Sequence, residues 1–207
     1  MKSFGIGISL IVAATLLGAP RPAASQRAAA TDSAASANGT RTASVARAEQ
    51  PPVIDGRLDE AAWQRGVALD GFVQREPYEG RAVSERTEVR VLYDDVALYI
   101  GAWLFDSEPS GIVFSETRRD AELSDSDAFR IVLDTYLDRQ NGFVFATTPA
   151  GIEYDGQVTR EGQGGFTGQL RQQAGSGGGF NINWDGSWEV ATSRDTSGWY
   201  EIGRAHV

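Results

Sequence analysis

Apolar residues alternate with polar ones along most of the chain after Pro51, and this period of two constrains the fold more than any other feature. In TEVRVLY (87–93) the valines and the tyrosine would share one face of a strand. An Asp-Asp pair then breaks the pattern, and VALYIGAWLF (96–105) resumes it, which predicts a β-hairpin. A second pair is expected at 128–134 and 142–148. Short strands with turns at intervals of about eight to twelve residues predict an all-β chain, folded as a jelly-roll or immunoglobulin-like β-sandwich.

One segment near the start of this region has a helical pattern. In LDEAAWQRG (58–66), Asp59 can cap a helix, the two alanines favour one, and Gly66 ends it after about two turns. So short a helix needs a tertiary anchor. We expect the indole of Trp63 to supply it by burial against the sandwich.

The first 50 residues differ from the rest. Residues 1–25 combine Lys2, an apolar stretch and small residues at a cleavage site, which predicts an export signal peptide. A transmembrane anchor is the alternative, but the apolar run at 4–19 is shorter than the roughly 20 residues that a bilayer core needs. Residues 26–50 are rich in Ala, Ser and Thr and predict a disordered linker.

Composition excludes several kinds of chemistry. The chain has no cysteine and a single histidine, His206, so neither a Ser-His-Asp nor a Cys-His arrangement is expected. The net charge of −9 argues against a nucleic-acid partner, because such proteins gather Lys and Arg on one face. No motif for an organic cofactor is present.

Carboxylates cluster in the segment RRDAELSDSD (118–127). Two carboxylates suffice for glycoside hydrolysis, but nothing in a polar loop would desolvate one of them and raise its pKa. We therefore predict no catalytic residues. Asp125 and Asp127 are weak candidates for a calcium site with backbone carbonyls, because calcium takes oxygen ligands from acidic loops. A solvated acidic turn is the alternative.

Aromatic side chains are the remaining candidates for ligand contact, since their faces stack on sugar rings while nearby polar groups bond the hydroxyls. Trp184 is the best placed, because Asn181 and Asn183 lie beside it in a polar segment. Tyr154 is a further candidate, although aromatic residues on strands more often belong to a core. The glycine-dense stretch at 161–179 predicts a long loop that either reaches over a ligand or has no role in binding.

Three blocks of sequence, in the order in which they occur, resemble the family nine carbohydrate-binding modules. They are PPVIDGRLDEAAW (51–63), VLYDDVALYIGAWLFD (91–106) and DSDAFRIVLDTYLD (125–138). The resemblance extends over 51–201 and implies a noncatalytic β-sandwich that grips the end of a glycan chain between two tryptophans.

Carried over residue by residue, the resemblance implies an incomplete version of that sugar site. Leu123-Ser124 stands where the family has one tryptophan, and Arg130 falls at the family's acidic sugar contact. Trp184 is the nearest candidate for the second tryptophan. We therefore predict a carbohydrate-binding site from four residues: Trp184, Arg130, Tyr154 and Asn183.

The segments at 84–95 and 118–145 resemble, more narrowly, a subgroup of exported bacterial proteins of unassigned function. In that subgroup the module precedes a longer region predicted as an outer-membrane barrel. The resemblance implies a location in the periplasm, the outer membrane or the cell surface of a Gram-negative-type bacterium. It also implies that the module's partner is a C-terminal region of the same protein that this sequence lacks. It leaves open a structural or partner-binding domain without sugar binding and, with less support, part of a glycoside hydrolase.

The last residues, IGRAHV (202–207), match a translation of a common sequencing adapter. We expect them to be adapter read-through, so that the module at 51–201 is incomplete at its C-terminus. We also expect the strand that starts at GWYEI to break at Gly203 and His206 to have no role.

Overall fold

The structure, a computed structural model, describes residues 43–160 and 179–206. The predicted signal peptide, most of the predicted linker and nearly all of the glycine-dense stretch lie outside these residues. The strands are β1 (Ala46–Arg47), β2 (Thr87–Tyr93), β3 (Ala97–Phe105), β4 (Phe129–Leu133), β5 (Gly142–Thr147), β6 (Tyr154–Val158), β7 (Phe180–Asn181), β8 (Trp188–Asp195) and β9 (Gly198–His206). No helix in the described ranges has the length and apolar character needed to cross a membrane.

The strands form two sheets, which confirms the predicted β-sandwich. One sheet has the order β1-β2-β3-β9-β8, and the other has the order β4-β5-β6-β7. All neighbouring strands pair antiparallel except β1, which runs parallel to β2. Asp94 closes the β2–β3 hairpin because its Oδ1 accepts the backbone N–H groups of Val96 and Ala97 at 2.8 and 2.9 Å.

The main core lies between the sheets, where alternate residues of the facing strands meet. Because side chains alternate across a strand, the residues that share this face recur at every second position. They are Val89, Val91, Ile100, Ala102, Leu104, Phe129, Ile131 and Trp199. The alternation that predicted the strands is therefore the alternation that builds the core.

A second core lies on the outer face of the five-stranded sheet, where Trp63 is fully buried, as predicted. Its indole crosses Gly101 of β3, where an added Cβ would come within 2.9 Å of the ring. The predicted helix is present only as a single 3-10 turn, Trp63–Arg65. The prediction of about two helical turns is wrong, because the backbone N–H groups of residues 63–66 bond carbonyls three residues back, the 3-10 pattern, which forms only short runs. The Trp63 indole also anchors the segment, with Nε1 donating to Glu60 at 3.0 Å.

The folded domain begins before the predicted linker boundary at residue 50. Ala46–Arg47 forms β1, and the backbone N–H of Ala48 donates to the Tyr93 carbonyl at 2.8 Å. Small side chains allow this segment to lie close to the sheet, and Ala48 is buried beside Trp63. Backbone pairing to a strand edge, which composition does not reveal, therefore orders the end of the predicted linker.

Strand β9 occupies an inner position of its sheet, between β3 and β8, and runs unbroken from Gly198 to His206. The predicted break at Gly203 is wrong, because Gly203 pairs with Ile100 on one side and Val190 on the other. Two flanking strands satisfy its backbone groups, which outweighs the low strand propensity of glycine.

Candidate functional site

A row of aromatic side chains runs from the surface to the interior at the end of the sandwich where β4 turns into β5. Ring-centroid distances are 6.4 Å for Tyr136 and Phe143, 4.5 Å for Phe143 and Trp184, and 5.9 Å for Trp184 and Phe145. Phe145 then meets Trp188 at 5.2 Å. Tyr136 is 62% exposed, and Phe143 and Trp184 are half-buried. We call the outer three residues, Tyr136, Phe143 and Trp184, the aromatic edge.

The indole of Trp184 is held in place from two sides. The rings of Phe143 and Phe145 pack against it, the first tilted by 31° and the second by 75°. Gly186 makes room for the indole, since an added Cβ there would lie 2.8 Å from the Trp184 ring. The backbone N–H of Gly186 donates to Asp155 Oδ2 at 2.5 Å, which fixes the approach. Trp184 is thus a preorganised ring at the surface.

The loop that presents Tyr136 is built on two aspartates. Asp134 accepts the backbone N–H of Arg139 at 2.8 Å. Asp138 accepts the backbone N–H groups of Gln140 and Asn141 at 2.8 Å each and the Asn141 side-chain amide at 2.6 Å. These hydrogen bonds, that from the Asn141 amide first, lower the pKa of Asp138. Tyr136 therefore stands on a loop with a defined conformation.

A tight turn precedes Trp184 in the chain. Asn183 is exposed, and its backbone N–H donates to Asn181 Oδ1 at 3.1 Å. Asn183 and Trp184 are neighbours in this surface segment, and their joint role in sugar binding stays a prediction.

Arg130 and Tyr154 lie on another face of the same sheet. Arg130 pairs with Ala146, and Ala146 pairs with Tyr154, so all three side chains point to the outer face of the four-stranded sheet. Phe143 and Phe145 alternate with Ala146 along β5 and point to the inner face. The structure thus separates Arg130 and Tyr154 from Trp184.

Tyr154 is a core residue of that outer face. It is 1% exposed, and its ring stacks on Phe180 at 6.2 Å with an angle of 8° between the planes. Burial raises its pKa to about 12, and its hydroxyl has no hydrogen-bond partner among the residues described. Burial also lowers the pKa of Arg130. This face is an internal packing surface in the described part of the chain.

The two calcium candidates play different parts. Asp127 bridges to Val113, accepting its N–H at 2.8 Å through Oδ2 and donating its own N–H to the Val113 carbonyl at 2.8 Å. Asp125 is exposed. Within the described ranges no group of three or more His, Cys, Asp or Glu residues is arranged to hold a metal. The calcium site stays a prediction.

A separate group of carboxylates surrounds Arg119 at an edge of β6. The guanidinium binds Asp155 at 2.6 Å, contacts Asp120 at 3.6 Å, and also pairs with Glu153 and Asp185. Asp155 is 1% exposed and therefore depends on this cation and on the N–H of Gly186. Partial burial raises the pKa of Asp120. The cluster ties the strand that carries Asp155 to the Trp184 segment through Asp185.

Replacement of Arg119 by methionine is expected to destabilise the protein. The variant keeps an aliphatic side chain but leaves the buried carboxylate of Asp155 with the Gly186 N–H alone. Because Arg119 is partly exposed and solvent screens the pair, we expect a loss of about 1–2 kcal/mol in the free energy of unfolding. Urea denaturation of R119M beside the wild type measures it, with Arg47→Met as the exposed control. Equal losses for the two variants would contradict a structural role for Arg119.

Two features of the candidate site were missed by sequence reasoning. The sequence pattern identifies Phe143 only as a strand residue, although its place at the start of β5, beside a turn, is a signal for a position at the end of the sheet. The contact between Trp184 and Phe143 joins residues far apart in sequence, and no local pattern reveals it.

The β-sandwich resembles the fold of solved carbohydrate-binding modules of family 9. A solved family 9 module from Caldicellulosiruptor kristjanssonii, in complex with glucose, is 15% identical, with a TM-score of 0.50 over 79% of this chain and 69% of that one. A second structure of a family 9 module from that organism, in complex with cellotriose, has 15% identity and a TM-score of 0.47 over 79% of this chain and 66% of that one. No family model matches the chain, and no curated protein does.

Proposed function

We propose that this chain is a noncatalytic glycan-binding module of a larger exported cell-envelope protein. The observation that carries the proposal is the aromatic edge, in which surface rings are packed against one another and Trp184 directly follows the exposed Asn183. Its support from outside the chain is the shared fold, together with the glucose found in the solved family 9 module.

The aromatic edge has the chemistry that a sugar ring requires. The rings of Trp184 and Tyr136 offer apolar faces to the C–H side of a pyranose, and a ring that is already fixed loses little entropy on binding. The side-chain amide of Asn183 can donate to one hydroxyl and accept from another. Neutral oligosaccharides of glucose are the ligands that we propose for this surface.

Noncatalytic binding is supported by the state of the nearby carboxylates. A general acid needs a raised pKa, whereas the pKa of Asp138 is lowered by its hydrogen bonds. Asp185, on the other side of Trp184, is paired with Arg119. Neither group is set up to protonate a glycosidic oxygen, so we propose recognition without bond cleavage.

Trp184→Ala and Tyr136→Ala test the proposal. We expect W184A to weaken binding of cello-oligosaccharides about 10- to 100-fold and Y136A to weaken it less, because Trp184 offers the larger ring. Isothermal titration calorimetry measures both. Tyr78→Ala is the matched control, since Tyr78 is exposed to a similar degree, 55%, and stacks on Arg81 away from the site.

The results of these titrations distinguish glycan binding from the alternative functions. Loss of binding in W184A but not in Y78A supports it. A folded wild-type domain that binds none of a broad panel of oligosaccharides would overturn it and favour a structural or partner-binding domain. Release of reducing sugar by the wild-type chain would contradict the noncatalytic part.

A further inference from the structure

An open groove lies at the opposite end of the sandwich from the aromatic edge. Strand β5 runs from Gly142, beside the aromatic edge, toward Pro149, which forms one wall of the groove. The other walls are the end of β8, at Thr192–Asp195, and the loop at 109–117. Its open volume is about 650 Å³, which is within the range of pockets that hold small ligands.

The groove carries an arginine stacked on an aromatic ring. The guanidinium carbon of Arg194 lies 3.9 Å from the centroid of the Phe114 ring, and Phe114 is 38% exposed. Stacking restricts the orientation of the guanidinium while its N–H groups, which lie in its own plane, remain available at the edge. A guanidinium held in this way is prepared to bind a planar anion with two hydrogen bonds.

In the described ranges, no carboxylate pairs with that edge. Within the described residues, Arg194 has no ion pair at 4.0 Å or less. The neighbouring Asp195 accepts the Ser197 N–H at 2.7 Å and the Tyr200 hydroxyl at 2.9 Å, so its carboxylate is engaged elsewhere. The cation in the groove therefore lacks an internal counter-charge in this part of the structure.

The rest of the groove suits a sugar. The wall formed by β8 includes Thr192, whose hydroxyl donates to the Pro149 carbonyl at 3.2 Å. With its proton committed, the hydroxyl oxygen keeps a lone pair for a ligand hydroxyl. Pro109 and Pro149 add rigid apolar surface for C–H groups.

From these features we infer that the groove is a second glycan subsite, selective for sugars that carry a carboxylate, such as uronic acids. The inference rests on the proposed glycan-binding function and extends it from neutral to acidic sugars. The carboxylate pairs with the edge of Arg194, and the ring lies between the prolines and the Thr192 hydroxyl of β8. A chain with net charge −9 otherwise repels such ligands, so Arg194 decides the affinity.

Calorimetry with tri-galacturonate and with cellotriose tests the inference on the full chain. We expect Arg194→Met to weaken tri-galacturonate binding about 10- to 100-fold, because a charge-assisted bidentate contact is lost. Arg47→Met is the matched control, since it removes the same charge from an exposed ion pair with Asp95. Cellotriose binding is expected to be unchanged in R194M.

The possible results are distinct. Tri-galacturonate that binds R194M as tightly as the wild type, or equal losses in R194M and R47M, would overturn the subsite. Tri-galacturonate binding that survives Trp184→Ala supports a site separate from the aromatic edge. A wild-type chain that binds cellotriose but not tri-galacturonate would refute this inference and leave the proposed function intact. A wild-type chain that binds tri-galacturonate but not cellotriose would refute the proposed binding of neutral glucans at the aromatic edge.

Discussion

Replacement of Trp63 by alanine is expected to lower the free energy of unfolding by about 3–5 kcal/mol, the usual cost of removing a large buried aromatic side chain. Trp63 has no solvent exposure and covers the outer face of the five-stranded sheet. The residue under the ring is Gly101, which has no side chain to fill the space that the indole would leave.

Urea denaturation followed by far-ultraviolet circular dichroism measures this effect. Trp63→Phe is the matched variant, and we expect it to lose less than the alanine variant because part of the ring remains. Tyr78→Ala, an exposed aromatic change, should stay within about 0.5 kcal/mol of the wild type. A loss below about 1 kcal/mol in W63A would show that the turn around Trp63 does not anchor the domain.

Replacement of Glu201 by leucine is expected to raise the free energy of unfolding by about 2–4 kcal/mol at neutral pH. Glu201 is 2% exposed and points between the two sheets, where it shares a face with Ala102 of β3. Its Oε1 has no hydrogen-bond partner among the described residues. An apolar side chain there removes a desolvated carboxyl group and keeps most of the volume.

The buried carboxyl group of Glu201 also predicts that the free energy of unfolding depends on pH. Burial raises the pKa of Glu201 well above its ordinary value of 4.5. The folded state therefore holds a proton that the unfolded state has released, and the stability of the wild type falls as pH rises from about 4.5 to the folded pKa. Above the pKa that Glu201 has in the folded state, its side chain is charged and the destabilisation by this buried charge reaches its full value. The gain from Glu201→Leu should therefore be small at pH 4 and grow as pH increases.

Denaturation of E201L, Glu201→Gln and the wild type at pH 4, 6 and 8 checks this prediction. The glutamine variant keeps a polar group without a charge, so its gain should fall between those of the other two and lose most of its pH dependence. A cavity of about 20 Å³ borders Glu201 and can hold one water. An E201L variant whose advantage is the same at pH 4 and pH 8 would contradict a charged, unpaired Glu201.

The strands could be predicted from the sequence because their apolar period is local and matches the core that they build. In β3, Ile100, Ala102 and Leu104 reach the inner core while Tyr99 reaches the outer one. Strand β9 was harder, since Gly203 weakens the local pattern. Its strand conformation comes from pairing with β8 on one side and β3 on the other, and β3 is distant in sequence, so a local reading does not include it.

The candidate site also has a part that the sequence predicts and a part that it does not. Trp184 could be predicted with Asn183 because the two are adjacent in a polar segment. Arg130 is a candidate by resemblance and Tyr154 by its aromatic ring, and the strand register places both on another face. The pairing of Arg194 with Phe114 joins strand β8 to a loop about 80 residues earlier in the chain, a contact that only the folded chain creates.

The five tryptophan indole N–H signals of a nitrogen-15-labelled sample test the central claim most directly. Titration with cellotriose, followed by two-dimensional proton–nitrogen spectra, should shift the signal of Trp184 and the side-chain amide of Asn183. The indole signals of Trp63 and Trp199, which are buried in the two cores, should not move. Binding by cellotriose without a shift at Trp184, or no binding by any oligosaccharide to the folded chain, would contradict the account.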